Sequence, residues 1–263
     1  LISVGASVVG LIGGDGRAWR VDAQSGMAEA LSESPLRVVH DTGYEPTSFV
    51  APGDTHLVAG ARTGVAVWNL ETRAHAFWQP PAGAVRKVVL TPGAASLFVL
   101  AEDYAVRKLD YEGREQIHYD SDSFPWSGAS DGRRLWVGYD DGTVVEFDVA
   151  SGRRLRLLGS FSSDVLQLAL VDARLLWVGV LDRTARLVDL ASTAELLRVR
   201  LPSDPIGGMV AASGVFAVSA PTGAITELRT VPDPIDHSAL AREVRCRVPF
   251  VLAAGVVMPA DLS

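Results

Sequence analysis

Leu135-Trp136-Val137-Gly138-Tyr139-Asp140-Asp141-Gly142-Thr143-Val144-Val145-Glu146-Phe147-Asp148-Val149-Ala150-Ser151-Gly152 reads as two short strands, each followed by a turn. Leu135, Val137 and Tyr139 alternate with Trp136 and Gly138, a period of two. Asp140-Asp141-Gly142 supplies turn chemistry, because glycine accepts positive φ and aspartate bonds its own backbone. Thr143 to Phe147 is β-branched and aromatic, which suits a pleated strand. Ala150-Ser151-Gly152 closes the unit.

The same pattern recurs along the chain. With Gly142 as origin, Asp148 lies six residues on, and Gly16 and Asp22 stand at the same offset. Asp103 to Asp110 repeats the pattern with Tyr104 in the glycine place, and Asp182 to Asp189 repeats it with Arg183 there. Gly64 to Asn69 is one residue shorter, and Gly223 to Leu228 lacks the final Asp. The turn positions 16, 64, 104, 142, 183 and 223 are separated by 48, 40, 38, 41 and 40 residues. A period of about 40 with about four strands per unit predicts an all-β β-propeller of four-stranded antiparallel blades. Val85 to Leu90 and Val165 to Leu170 are the most apolar segments and are expected innermost, covered on both faces.

Six units are visible in residues 1–230. In residues 231–263, Val231-Pro232-Asp233-Pro234 breaks the rhythm, Ser238 to Arg247 reads as a short helix, and Val248 to Met258 as a hairpin. This tail would complete the last blade or add a seventh, since closing the ring removes free sheet edges.

These units resemble WD-repeat proteins, in which a turn of the form Asp-Gly-Thr-Val precedes a strand ending in Trp-Asp. Val67-Trp68-Asn69, Glu146-Phe147-Asp148 and Leu187-Val188-Asp189 are similar to that ending. Only Trp68 keeps the Trp, and no unit has the family's Gly-His dipeptide. Pyrroloquinoline-quinone-type propellers share the Asp-Gly…Asp-x-x-Ser-Gly pattern and stay open. Either resemblance implies a propeller.

Composition narrows the function. A net charge of −7 argues against a duplex nucleic-acid partner, which selects clustered Lys and Arg. A lone cysteine, Cys246, excludes an internal disulfide framework and a multi-cysteine zinc site, and fits a cytoplasmic setting without excluding an extracytoplasmic one. The apolar start, Leu1 to Gly10, has no basic flank and breaks at Asp15, short of the ~20 residues of a membrane span. The absence of an initiating Met fits a piece of a larger protein or a processed product. Two lysines against twenty-two arginines, amid many Ala, Val and Gly, point to a GC-rich bacterial gene.

Motifs for a serine nucleophile, a phosphate loop or a zinc helix are missing. The five histidines are scattered, so no cofactor, metal or catalytic residue is expected. Asp140-Asp141-Gly142 lacks the further acidic ligands of a calcium loop and reads as a hairpin turn. Trp136 and Trp177, 41 residues apart, read as packing between blades. Ser121-Asp122, Ser163-Asp164 and Ser203-Asp204 each precede an innermost strand, with Glu45 near the equivalent place. They predict an acidic rim that meets a basic partner, or loops that bond their own backbone. Phe124 and Trp126 add aromatic surface of the kind enriched at interfaces. The candidate rim is therefore Glu45, Asp122, Phe124, Trp126, Asp164 and Asp204.

Three readings follow. The first is a non-enzymatic protein–protein interaction scaffold, a domain or subunit of a larger bacterial signalling or effector assembly. The second is a propeller enzyme, a metal-dependent lactonase or quinone dehydrogenase, which needs carboxylates and histidines converging at the axis. The innermost strands offer Arg86, Lys87 and Gln167 there instead. The third is an extracytoplasmic sensor or assembly propeller.

Overall fold

Residues 135–152 fold into the paired strands their pattern predicts, with Leu135 opposite Phe147 and Gly138 opposite Val144. The computed structural model describes residues 2–4, 8–12, 18–22, 27–32, 47–49, 56–61, 64–69, 71–72, 74–81, 83–92, 96–205, 208–212, 215–219, 225–229, 250–253 and 256–259. Glu45, Cys246 and the expected helix at 238–247 lie outside them. All regular structure among the described residues is strand.

The first sheet comprises β1 (Ile2–Val4), β2 (Val8–Ile12), β3 (Ala18–Asp22) and β4 (Ala28–Ser32). The second comprises β5 (Thr47–Phe49), β6 (His56–Ala61), β7 (Gly64–Asn69) and β8 (His75–Trp78). β9 (Val85–Leu90), β10 (Ser96–Ala101), β11 (Ala105–Asp110) and β12 (Glu115–Asp120) form the third. β13 (Pro125–Ser130), β14 (Arg134–Tyr139), β15 (Thr143–Asp148) and β16 (Arg154–Ser160) form the fourth. β17 (Val165–Leu170), β18 (Leu175–Val180), β19 (Thr184–Asp189) and β20 (Glu195–Arg200) form the fifth. The sixth has three strands among the described residues, β21 (Gly208–Ala212), β22 (Val215–Ser219) and β23 (Ile225–Arg229). β24 (Phe250–Ala253) and β25 (Val256–Pro259) make an antiparallel hairpin. The chain divides into two compact units, Leu1–Leu228 and Arg229–Ser263.

Each four-stranded sheet is a meander, and the second to the sixth sheets pack in succession, each on the next. The first strands β9, β13, β17 and β21 follow one another side by side, so they are the inner strands around a common axis. This is a β-propeller. Alternation along each strand explains its core. In β14, Leu135, Val137 and Tyr139 pack with Phe98 and Leu100 of the third blade, whereas Trp136 packs with Val165 and Leu168 of the fifth. In β10, Leu97 and Val99 face Val58 and Val65 of the second blade. A strand covered on both sides reads as a continuous apolar run, which is why the inner elements show weak alternation in sequence. Trp136 and Trp177, 2% and 0% exposed, are core residues, as their period predicts.

Close blade contact depends on matched sizes. A Cβ on Gly138 would lie 2.4 Å from Val165 Cγ1 of the next blade, so that position admits hydrogen alone. In the third blade the register-equivalent residue is Leu100, and the facing inner strand carries Gly128, where β9 and β17 carry Val88 and Leu168. A large residue in one blade is thus met by a small one in the next, which keeps packing dense without overlap.

Candidate partner-binding rim

At one end of the blades, the loop into each inner strand lies against the turn between the second and third strands. Asp140 N donates to Phe124 O at 3.0 Å, Phe161 N to Gly142 O at 2.8 Å, and Leu181 N to Asp164 O at 3.0 Å. Side chains tighten the same contact. Asp140 Oδ1 accepts the Phe124 amide at 2.9 Å. Ser123 Oγ donates to Asp141 Oδ2 at 2.7 Å, and Ser162 Oγ to Asp182 Oδ2 at 2.8 Å. Asp141 Oδ1 also accepts the Thr143 amide at 2.9 Å, so Asp140-Asp141-Gly142 is the turn read from the sequence, and the contacts to Ser123 and Phe124 make it a clamp as well. Burial pushes the Asp141 carboxyl up, but hydrogen bonds from Thr143 and Ser123 outweigh it and hold it below the usual carboxylate range.

Asp122, Asp164 and Asp204 lie in loops at this end, but Asp164, whose carbonyl accepts the Leu181 amide, stands in the place of Phe124 rather than of Asp122, and Glu45 lies outside the described residues. Asp122 is exposed beside Ser121, whose hydroxyl accepts the Ser123 amide at 3.2 Å. Asp164 is half-buried. Asp204 Oδ1 stands 3.4 Å from Arg183 Nε, an ion pair that already uses its charge. The neighbouring turn carboxylates are neutralised too: Asp103 pairs with Arg107, and Asp182 with Arg186, each at 2.6 Å. Among the described residues, no three His, Cys, Asp or Glu side chains come together as a metal site would require.

The structure does bring Phe124 and Trp126 together. Their ring centroids are 5.3 Å apart at 68°. Tyr104 extends the row, 5.7 Å from Phe124 at 87°, and the Arg86 guanidinium lies 3.7 Å above Trp126. Edge-to-face geometry of this kind favours aromatic pairs. Tyr104 is 46% exposed. It also has φ +65°, as Gly142 has +82° and Arg183 has +62° at the same turn position. A bulky side chain in the left-handed region costs about 1–2 kcal/mol, so glycine would serve the turn better. Tyr104 is therefore held in a strained place while presenting a ring at the surface.

Tyr104 and Arg86 were absent from the candidate rim. The signal for Tyr104 was legible as a tyrosine standing where the repeat calls for glycine. Arg86 needed the register. Three inner strands, β9, β13 and β17, shift by one residue at their start, between Val85 and Lys87, Pro125 and Ser127, and Val165 and Gln167. Arg86, Trp126 and Leu166 are thus equivalent bulge residues, 40 apart.

No protein-family model and no curated protein matches the chain. Among solved structures, it is similar to a chain of the crystal structure of the mitotic checkpoint complex, with a TM-score of 0.67 and 16% identity over 89% of this chain and 77% of that one. That match is one of 1682, so the likeness marks a widely used fold and selects no single function. No helix among the described residues is long and apolar enough to cross a membrane.

Proposed function

We propose that this β-propeller is a non-enzymatic, WD-repeat-like protein-binding scaffold, acting in the cytoplasm as part of a larger bacterial assembly. The observation that supports it is the row Tyr104–Phe124–Trp126, an aromatic surface built on a strained turn at one end of the third and fourth blades. Aromatic residues dominate binding energy at interfaces because they bury large, rigid, partly polar surfaces. The internal pairing of Asp103, Asp182 and Asp204 leaves the aromatic row, rather than a ring of free charge, as the main recognition element.

The test is quantitative affinity capture from native lysate with two double variants. Tyr104→Ala with Phe124→Ala removes the row. Glu112→Ala with Arg114→Ala alters an exposed pair at the opposite end. Specific partners should fall by about tenfold or more with the first, as for interface hot spots, and hold with the second. Equal capture by both, with unchanged circular dichroism, would overturn the reading.

A further inference from the structure

We infer that β20, the outer strand of the fifth blade, is a dimerisation edge: it pairs antiparallel with β20 of a second copy of this chain, about a two-fold axis beside Arg198. The inference goes beyond the scaffold reading and does not rest on it.

An outer strand leaves a row of main-chain N–H and C=O groups unpaired, and proteins blunt such edges with charges or bulges. The third and fourth blades do so. On β12 the exposed side chains are Glu115, Gln116, His118 and Asp120, all polar. On β16 the ladder to β15 shifts twice, between Val144 and Val145 and between Glu146 and Phe147. β20 is guarded less. Glu195 to Arg198 and Arg200 are exposed, among them Leu196 at 55% and Leu197 at 44%. Its ladder runs unbroken from Leu197 opposite Leu187 to Arg200 opposite Thr184, with its shift confined to the start of the strand. Among the described residues, β19 is its one strand partner.

The strand fits its own reverse. The Leu201 amide donates to Arg183 O at 2.7 Å, so by antiparallel alternation the main chains of Val199 and Leu197 turn to β19, and those of Arg198 and Arg200 turn outward. With Arg198 opposite its counterpart, the two exchange both main-chain bonds, and Leu197 falls opposite Val199 on each side of the axis. These apolar pairs lie on the face of Leu187, where Val199 already packs on the cluster of Leu187 and Trp177. On the other face, Arg200 falls opposite Leu196 and Glu195 at the start of the second copy's strand. The Arg200 guanidinium is exposed and has no partner among the described residues. Glu195 accepts from Arg198 Nε at 2.7 Å and keeps lone pairs for a further donor. Each Arg198 brings its own Glu195 to the axis, which compensates the like charge there. Apolar cross-strand pairs and opposed charges both favour such a ladder, and a self-complementary surface is what a two-fold interface requires.

Sedimentation velocity on a dilution series of the full chain reads the association, and two variants address the edge. Arg200→Pro removes an outward N–H without touching the ladder to β19. Leu197→Lys places a charge in the Leu197–Val199 pairs. Wild type should pass from monomer to dimer as concentration rises, and each variant should raise the dimer dissociation constant by about tenfold or more with circular dichroism unchanged. Disulfide capture in a Cys246→Ser background reads the register. Leu197→Cys protein mixed with Val199→Cys protein should cross-link, and neither should cross-link to itself. A monomer at every concentration overturns the inference, as does a dimer equally tight in wild type and both variants. A monomeric wild type that loses a captured lysate protein on Arg200→Pro would give the edge to a foreign strand and exclude the second copy. Leu197→Cys cross-linked to itself would overturn the axis beside Arg198.

Discussion

The two ends of the blades are built on different rules. At the turns between third and fourth strands, one device is used four times. Asn69 Oδ1 accepts the Glu71 and Thr72 amides at 3.0 and 2.9 Å, and Asp110 Oδ1 accepts those of Glu112 and Arg114 at 3.1 and 2.8 Å. Asp148 Oδ1 accepts Ser151 N at 2.9 Å, and Asp189 Oδ1 accepts Ala191 and Ser192 N at 2.9 and 2.8 Å. At the other end, the equivalent turn position holds Tyr104, Gly142 and Arg183, and each does something else. Tyr104 joins an aromatic row, Gly142 fits beneath Phe161 O, and Arg183 pairs with Asp204. Where geometry alone is required, the chain repeats itself. Where a surface is presented, it varies, which is the usual division between scaffold and recognition loops.

The largest effect should come from the core that both ends share. Trp136→Ala and Trp177→Ala should each cost roughly 3–5 kcal/mol in chemical denaturation, the range for emptying a buried aromatic site. Costs below about 1 kcal/mol for both would show that the blades do not pack through these rings.

The capping end should reveal itself in acid. The Asp189 carboxyl is held at about 2, chiefly by the Ser192 amide and then by Arg174. A depressed carboxylate stabilises the fold above its unfolded value and loses that contribution as pH falls through about 2. Wild-type stability should therefore drop more steeply between pH 4 and pH 2 than that of Asp189→Asn. Parallel curves would show that the cap carries no linkage.

At the presenting end the sign reverses. Tyr104→Ala and Tyr104→Gly remove the same ring, but only glycine accepts φ +65° freely. The glycine variant should be more stable than the alanine variant by about 1 kcal/mol. Equal stability would mean that the turn is not strained.

The smallest effect distinguishes two blades. On the outer strands, His118 stands opposite Arg107 as Arg198 stands opposite Arg186. Hydrogen bonding to Asp120, then Glu115, raises the His118 imidazole above its ordinary value despite some burial. Its stabilising charge is fully present below about pH 6.5, the unfolded value, and is lost as pH rises through the raised one. His118→Arg should flatten this part of the stability profile between pH 6 and 8. An unchanged profile would remove His118 from the account.

The propeller was legible because its turns recur every 40 or so residues whatever fills them, and because the Asp at the third strand's end is needed for a turn. The aromatic half of the rim was half legible. Phe124 and Trp126 are two residues apart in sequence, but Tyr104 and Arg86 join them only through the stacking of one blade on the next. The expected acidic rim was drawn from spacing, but hydrogen bonds put Asp164 in the place of Phe124 rather than of Asp122, and Asp204 is spent on Arg183. Matched sizes such as Leu100 against Gly128 are likewise visible only when blades are superposed.

Hydrogen–deuterium exchange of the propeller with and without a captured partner tests the central claim most directly. The account predicts protection in segments 102–105 and 121–126, with segments 111–114, 149–153 and 190–194 unchanged. Protection confined to those last three segments would place the partner on the capping end and contradict it.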